Sequence, residues 1–197
     1  MEDLKCFFKL RGILMAPPLL FALLCNWYES ENIWLTWLPG IFLFSLGILL
    51  RLWSQIHLKY RLKTPKQLTK TGPYALVRNP IYIGNTLIIL GLILMLELVW
   101  FAPFAAIWCL TIYNFVIAYE EEHLLKKYGI EYIDYLNSVP RWIPQLESIK
   151  EVIQQTKSTI NYNLLLSSIL AEIHCFIWLI IPLYKEFISF NLLKLYL

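Results

Sequence analysis

Charge is scarce in this chain: 16% of its 197 residues are Asp, Glu, Lys or Arg, against roughly 25% in an ordinary soluble domain. Water is a poor solvent for such a composition, and a soluble globular domain is excluded. Cysteine is sparse as well. Cys6, Cys25, Cys109 and Cys175 form no C-x-x-C pair, so buried thiols without a redox or metal role are expected, and no metal site. Basic patches interleaved with aromatics are absent outside the apolar stretches, so the net charge of +3 gives no footing for nucleic acid. A small-residue cleavage site is missing too: the first apolar block contains Pro17 and Pro18 and is expected to stay in the mature chain rather than leave as a signal peptide. The end at Leu197 has no C-a-a-X box, so prenylation of this chain is not expected.

What is present is apolar and aromatic: 58% hydrophobic, 16% Phe, Trp and Tyr. These residues gather in blocks near the length of about 20 that a helix needs to cross a bilayer core. The blocks run over Gly12 to Tyr28, Ile33 to Trp53, Ile81 to Leu96, Val99 to Tyr119 and Leu164 to Tyr184. An all-α fold follows, a polytopic transmembrane bundle of about five helices. Lys and Arg collect in cytoplasmic loops, and here they cluster. Lys5, Lys9 and Arg11 precede the first block; Arg51, Lys59, Arg61, Lys63, Lys66, Lys70 and Arg78 arrive together; Lys126, Lys127, Arg141, Lys150 and Lys157 form a third group. The gaps between groups predict two hairpins, with the N-terminus, the loop from Ser54 to Pro80 and the segment from Glu120 to Asn161 in the cytoplasm. Glu29 to Asn32 and the residues around Glu97 then form turns on the opposite side. Three segments result: an N-terminal hairpin (1–53), a central core (54–144), and a polar linker from Gln145 to Asn163 leading to a C-terminal membrane helix (145–197).

Gly40 and Gly47 lie seven residues apart in the second block, as do Gly84 and Gly91 in the third. Each pair falls on one helix face, where small residues let helices approach closely.

The chemistry-bearing residues stand outside the apolar blocks. In Thr71-Gly-Pro-Tyr-Ala-Leu-Val-Arg-Asn-Pro-Ile-Tyr-Ile-Gly84, Gly72 and Pro73 make a turn and Pro80 opens a helix. A helix N-terminus beside Arg78 suits an anion, although from this stretch alone an interfacial turn anchored by Tyr74, Arg78 and Tyr82 is the stronger reading. The second stretch is Glu120-Glu-Glu-His-Leu-Leu-Lys-Lys-Tyr-Gly129, continuing through Tyr132, Tyr135 and Val139-Pro-Arg-Trp-Ile-Pro144. Carboxylates at a helix C-terminus are unfavourable, so the helix is expected to continue beyond the block. On a 3.6-residue period Glu121, Leu124, Leu125, Tyr128, Tyr132 and Tyr135 share a face. A surface amphipathic helix is the competing reading.

Taken together, G-P-Y, V-R-N-P-x-Y-x-G, a helical hairpin, E-E-x-x-L-x-x-x-Y-G-x-x-Y-x-x-Y and V-P-R resemble the integral membrane methyltransferases of the isoprenylcysteine carboxyl methyltransferase and phospholipid methyltransferase superfamily, over roughly Leu50 to Pro144. The resemblance implies S-adenosylmethionine in a cytoplasm-facing pocket formed by the two stretches, with the methyl acceptor entering from the bilayer. Pro73, Tyr74, Arg78, Asn79, Pro80 and Tyr82 would line one wall, and Glu120 or Glu121 would hold the cofactor's amino group. Arg78 or Arg141 would hold the acceptor's carboxylate or the cofactor's. The family often has His where this chain has Asn79, which can donate a hydrogen bond but cannot titrate.

Because the chain lacks G-x-G-x-x-G, a soluble Rossmann methyltransferase is excluded. Alternatives are an amine acceptor such as a phospholipid, a sterol-reductase-like membrane enzyme using a nicotinamide cofactor, and a non-catalytic scaffold. Partners implied are membrane lipids, a lipophilic or lipidated substrate, and a second copy of the chain through the C-terminal helix. Glu172 and His174 stand inside that last block, where ionisable groups are costly, and an oligomer contact or a packing role is expected for them.

Overall fold

The computed structural model describes residues 2–25, 27, 30, 32–62, 67–145, 149–159 and 162–187. Glu29, Lys63 and Lys66, used above to orient the chain, lie outside them. Among the described residues the structure is helical and contains no strand. Four helices are long and apolar enough to cross a membrane, Leu4–Leu24, Trp34–Leu58, Val99–Tyr128 and Tyr162–Phe187, with a shorter apolar helix at Pro80–Met95. All five expected apolar blocks are therefore helices, in a polytopic bundle.

The first block begins earlier than expected. Helix α1 (Glu2–Leu14) and helix α2 (Ala16–Leu24) follow one another through Met15. Pro17 and Pro18 sit in the first turn of α2, where the missing N–H groups have no intrahelical acceptor to lose. Lys5, Lys9 and Arg11 thus lie on α1 instead of ahead of a membrane helix. Leu4, Phe7 and Phe8 make this segment apolar enough, and Arg11 folds back so that its guanidinium lies 4.3 Å over the Phe8 ring. Helix α1 packs on the later helix α6 (Ala102–Tyr128) through Phe7 on Phe115, ring centroids 4.8 Å apart, and Phe8 on Tyr119 at 5.2 Å.

The bundle is built around α3 (Ile33–Leu62) and α5 (Pro80–Met95), the most extensive helix pair. The four glycines explain it. A Cβ on Gly47 would stand 2.6 Å from the Gly84 carbonyl oxygen, and one on Gly91 would stand 2.7 Å from that of Gly40. The helices run antiparallel and the backbones touch at both points, as the seven-residue spacing predicts. Helix α5 spans about 24 Å at 1.5 Å per residue, short of a bilayer core of about 30 Å. It closes at Leu96, where Glu97 takes a positive φ of 67° and its carbonyl accepts from the Ser30 N–H at 3.0 Å.

Between the second and third blocks, Pro73–Leu76 forms a single turn, α4. Helix α6 carries straight through Glu120 to Tyr128, as expected, but then stops. Gly129 at φ 57° turns the chain, and Ile130–Ser138 forms a separate helix, α7. The continuous face from Glu121 to Tyr135 is therefore two helices folded on one another: Leu124, Tyr128, Tyr132 and Tyr135 still meet around Leu68 and Val139, whereas Leu125 points outward, 39% exposed.

The linker expected from Gln145 to Asn163 contains a helix, α8 (Ile149–Thr159). Its buried side, Val152 and Thr156, docks on α3, where Thr156 Oγ1 accepts from Trp53 Nε1 at 2.9 Å and lies 3.1 Å from His57 Nε2. The last block starts with α9 (Tyr162–Glu172) and tightens into a 3-10 segment, Ile173–Leu179. Near its far end Lys185 Nζ donates to the carbonyls of Cys25 at 3.1 Å and Leu96 at 3.2 Å, a cation at the C-terminal ends of α2 and α5 where helix dipoles favour one.

Candidate functional site

The two polar stretches meet at one end of the bundle. Backbone bonds hold them in register: the Arg78 N–H donates to the Pro140 carbonyl and the Gln145 N–H to the Leu76 carbonyl, both at 2.9 Å. The Tyr135 hydroxyl adds a bond to the Tyr74 carbonyl at 2.7 Å. Gly72 makes the turn possible twice over, through its φ of 63° and because any Cβ there would enter the His57 ring.

This stapling closes a cavity of about 910 Å³ between α1, α3, α5, α6 and the 67–82 segment, within the size range of small-molecule and cofactor sites. Tyr74, Arg78, Asn79, Pro80, Tyr82, Glu120 and Glu121 all border it. Pro73 is buried at the base of the turn, and Arg141 stands just behind the wall. Arg78 Nη1 donates to Glu121 Oε1 at 2.9 Å and Arg141 Nε donates to the same oxygen at 3.2 Å, while Arg141 Nη2 bonds the other oxygen. Glu121 is thus committed to two guanidinium groups. Glu120 is held more lightly, by the Tyr82 hydroxyl at 2.8 Å, which leaves lone pairs on a half-buried carboxylate. Asn79 Nδ2 donates to the Arg141 carbonyl at 3.4 Å, so the asparagine ties the two stretches together.

The phenols nearby are kept neutral. Burial pushes Tyr132 up to about 12, helped by the Glu121 charge. Tyr74 is raised by burial and then by Glu120, and Tyr135 by burial and the neighbouring phenols. They present aromatic faces and O–H groups rather than phenolates.

Several cavity residues carried no site signal in the sequence. Phe8 and Arg11 come from α1, Arg51 and Gln55 from α3, Asn85 from α5, and His123 from α6. Arg51 reads as the first of the loop charges because it stands near the end of an apolar block. Its partner is Glu172: Arg51 Nε donates to Oε2 at 2.7 Å and Nη2 to Oε1 at 3.1 Å, across 121 residues. Two ionisable residues in apolar blocks are the signal that links them. The pairing gives Glu172 a contact inside the chain, while His174 faces outward. Among the described residues no three His, Cys, Asp or Glu side chains are grouped to hold a metal ion.

Apolar helices packed around a polar-walled cavity at one end define an integral membrane protein. Residues 35–131 match the family model for phospholipid methyltransferases. Over that stretch the chain belongs to the isoprenylcysteine carboxyl and phospholipid methyltransferase superfamily of membrane proteins. Relatives include the nickel-cobalt-cadmium resistance protein NccN of Alcaligenes xylosoxydans xylosoxydans, 30% identical over 133 residues, which are 64% of this chain and 60% of the relative. The cobalt-zinc-cadmium resistance protein CzcN of Cupriavidus metallidurans is 32% identical over 102 residues, 52% of this chain and 46% of the relative. The chain thus spans between about half and three fifths of these relatives' length. No solved structure matches. The matched residues take in the first stretch and the Glu120-Glu121 pair, while Arg11, Arg141 and Glu172 lie outside them.

Proposed function

We propose that the chain is an S-adenosylmethionine-dependent membrane methyltransferase acting on a lipophilic acceptor drawn from the bilayer, an isoprenylcysteine-type carboxylate. The observation that carries this reading is the pair of carboxylates, Glu120 and Glu121, bonded to Tyr82 and Arg78 on the wall of one cavity in the stretch that matches the family. The donor set fits the cofactor. Arg78 Nε is buried and has no hydrogen-bond partner among the described residues, and a buried N–H of this kind calls for an anion such as the cofactor's carboxylate. Glu120, with lone pairs to spare, suits the ammonium. Tyr74 and Tyr132 offer aromatic surface to a purine.

When bound, S-adenosylmethionine supplies an electrophilic methyl on a sulfonium. The protein's part is positioning and exclusion of water. Glu121 fixes the Arg78 and Arg141 guanidinium groups, and Tyr82 fixes Glu120. A carboxylate acceptor requires no base at neutral pH. The clustering of Lys and Arg supports reading this end of the bundle as the cytoplasmic one.

An amine acceptor is the second reading. It is favoured by the phospholipid methyltransferase description of the matching family and by His123, a candidate base on the cavity wall. The metal-resistance names describe the relatives and select neither acceptor. Transfer of a labelled methyl group from the cofactor to a lipid extract, with farnesylcysteine and phosphatidylethanolamine as separate acceptors, tests both. No label in any lipid fraction, with no saturable cofactor binding, sinks the proposal, and binding of a nicotinamide cofactor in its place favours the reductase reading.

A further inference from the structure

The Arg51 and Glu172 pair has no part in the cofactor site, yet Arg51 borders the same cavity. Glu172 is buried, 2% exposed, and comes from a helix beyond the matched residues. Asn85 completes the group: Arg51 Nη1 donates to its Oδ1. Asn85 stands three residues after Tyr82 on α5, so this cluster lies one helical turn, about 5 Å, further into the bundle than the Tyr82–Glu120 bond. Gly84 lets the cluster form. A Cβ there would stand 2.7 Å from Arg51 Cγ, so only a glycine allows the arginine stem to cross α5 at this level.

Stability does not account for the pair. Two charges carried into an apolar bundle lose hydration that their mutual attraction repays poorly, and well-packed apolar replacements are often at least as stable. What the pair provides is a fixed set of donors at the cavity wall. Of the five N–H groups of a guanidinium, Nε and one on each Nη are used by Glu172 and Asn85, leaving one on each Nη. Gln55, one turn along α3, brings an amide to the same wall. Arg11, also on the cavity wall, shows no carboxylate partner among the described residues and adds positive charge.

We propose that the inner end of the cavity, lined by Arg51 and Asn85 with Glu172 bonded to Arg51, is the subsite for the oxyanion headgroup of a bilayer-borne molecule, a carboxylate or a phosphate. Arg51 and Asn85 make the contacts, and Glu172 is a positioning residue that locks the guanidinium plane. The proposal rests on the methyltransferase reading only in calling that molecule the acceptor. The carboxylate is bound as the ion, and no proton moves.

The test uses the full chain in phosphatidylcholine nanodiscs. The probes are N-acetyl-S-farnesylcysteine, its neutral carboxamide, and short-chain phosphatidate with its uncharged diacylglycerol counterpart. The expected result is saturable binding of at least one anionic probe, about tenfold tighter than its neutral counterpart. Glu172→Gln and Asn85→Ala are expected to remove most of that preference. The double variant Arg51→Met with Glu172→Leu guards against loss of fold: it removes both charges together and is checked by circular dichroism and gel filtration. It is expected to fold and to bind charged and neutral probes alike. Which anion shows the preference identifies the headgroup. If neither anion is preferred in the natural sequence, or the folded double variant keeps the preference, the subsite is overturned. Cofactor binding is measured separately by calorimetry: its absence beside an intact anion preference overturns the methyltransferase reading and leaves the subsite standing.

Discussion

Arg78 and Glu121 meet at 2.9 Å across 43 residues of sequence, and the contact joins the two polar stretches at the point where Arg141 also grips the carboxylate. Glu121 is a junction between two cations. Changing Glu121 to Gln replaces charge-assisted bonds with neutral ones at a cost of roughly 1.5 to 3 kcal/mol. Calorimetric titration is expected to show S-adenosylmethionine and its demethylated product binding roughly 10- to 150-fold more weakly to this variant. Equal affinity in the two proteins removes Glu121 from the cofactor site.

The glycine contacts make a prediction about stability alone. Gly84→Ala pushes a methyl group against Arg51 Cγ at 2.7 Å and the Gly47 carbonyl at 2.9 Å, and overpacking of this kind costs about 1 to 3 kcal/mol. Gly12→Ala is the control, because nothing lies within 4 Å of its added Cβ. Thermal unfolding in detergent should separate the two, with Gly84→Ala lowered and Gly12→Ala unchanged or raised. Similar midpoints for both would mean that α3 and α5 do not touch at Gly84.

These glycines also show what the sequence reveals and what it hides. A seven-residue spacing survives in one dimension because a helix repeats, so the packing faces of α3 and α5 were legible, as were the paired stretches whose residue order carries the family. The break at Gly129 was not. Its periodicity runs on through Tyr132 and Tyr135 unchanged, since Gly–Ile–Glu differs little in pattern from one more helical turn. Helix α8 was hidden for another reason: among its described side chains only Val152 and Thr156 are buried, and its composition is close to that of a linker. The Arg51–Glu172 bond spans 121 residues, and local pattern says nothing about which distant charges meet.

Alkaline pH tests the buried phenols. Tyr132 ionises near 12 in the folded chain against an ordinary value of 10, so the folded state holds its proton more tightly than the unfolded state does. The resulting stabilisation is complete below pH 10 and is lost as the pH rises from 10 towards 12. Tyr132→Phe should flatten this part of the stability profile, measured by unfolding at fixed temperature. A Phe variant whose alkaline decline is as steep as that of the natural chain would contradict the assignment.

Orientation is testable at described positions. The Ser30 N–H bonds the Glu97 carbonyl at 3.0 Å, so the turns before α3 and after α5 share one end of the bundle, and the Lys and Arg groups gather at the other. Single cysteines replacing Lys150 and Asn32, in a chain otherwise free of cysteine, are expected to react with an impermeant reagent from the cytoplasmic and the opposite side respectively. The reverse pattern would invert the topology.

The acceptor's nucleophile sets the pH dependence of the methyl-transfer rate. A carboxylate is ionised well below neutrality and attacks without losing a proton, whereas an ammonium must first be deprotonated. Tyr74, Tyr132 and Tyr135 are all raised by burial, so no phenolate is available as a base near neutrality. Asn79 cannot titrate. His123 is therefore the residue on this wall suited to serve an amine, and it is exposed on α6. With a carboxylate acceptor at saturating cofactor, and chemistry limiting turnover, the rate is expected to stay nearly flat over roughly pH 6 to 8 and to be indifferent to His123→Ala. With an amine acceptor the rate rises about tenfold per pH unit below the controlling pKa. If that rise disappears in His123→Ala, the histidine is the base; if it persists there and follows the acceptor's own ionisation, the amine loses its proton without it. Either rise overturns the carboxylate assignment, and the family-favoured amine chemistry then takes its place.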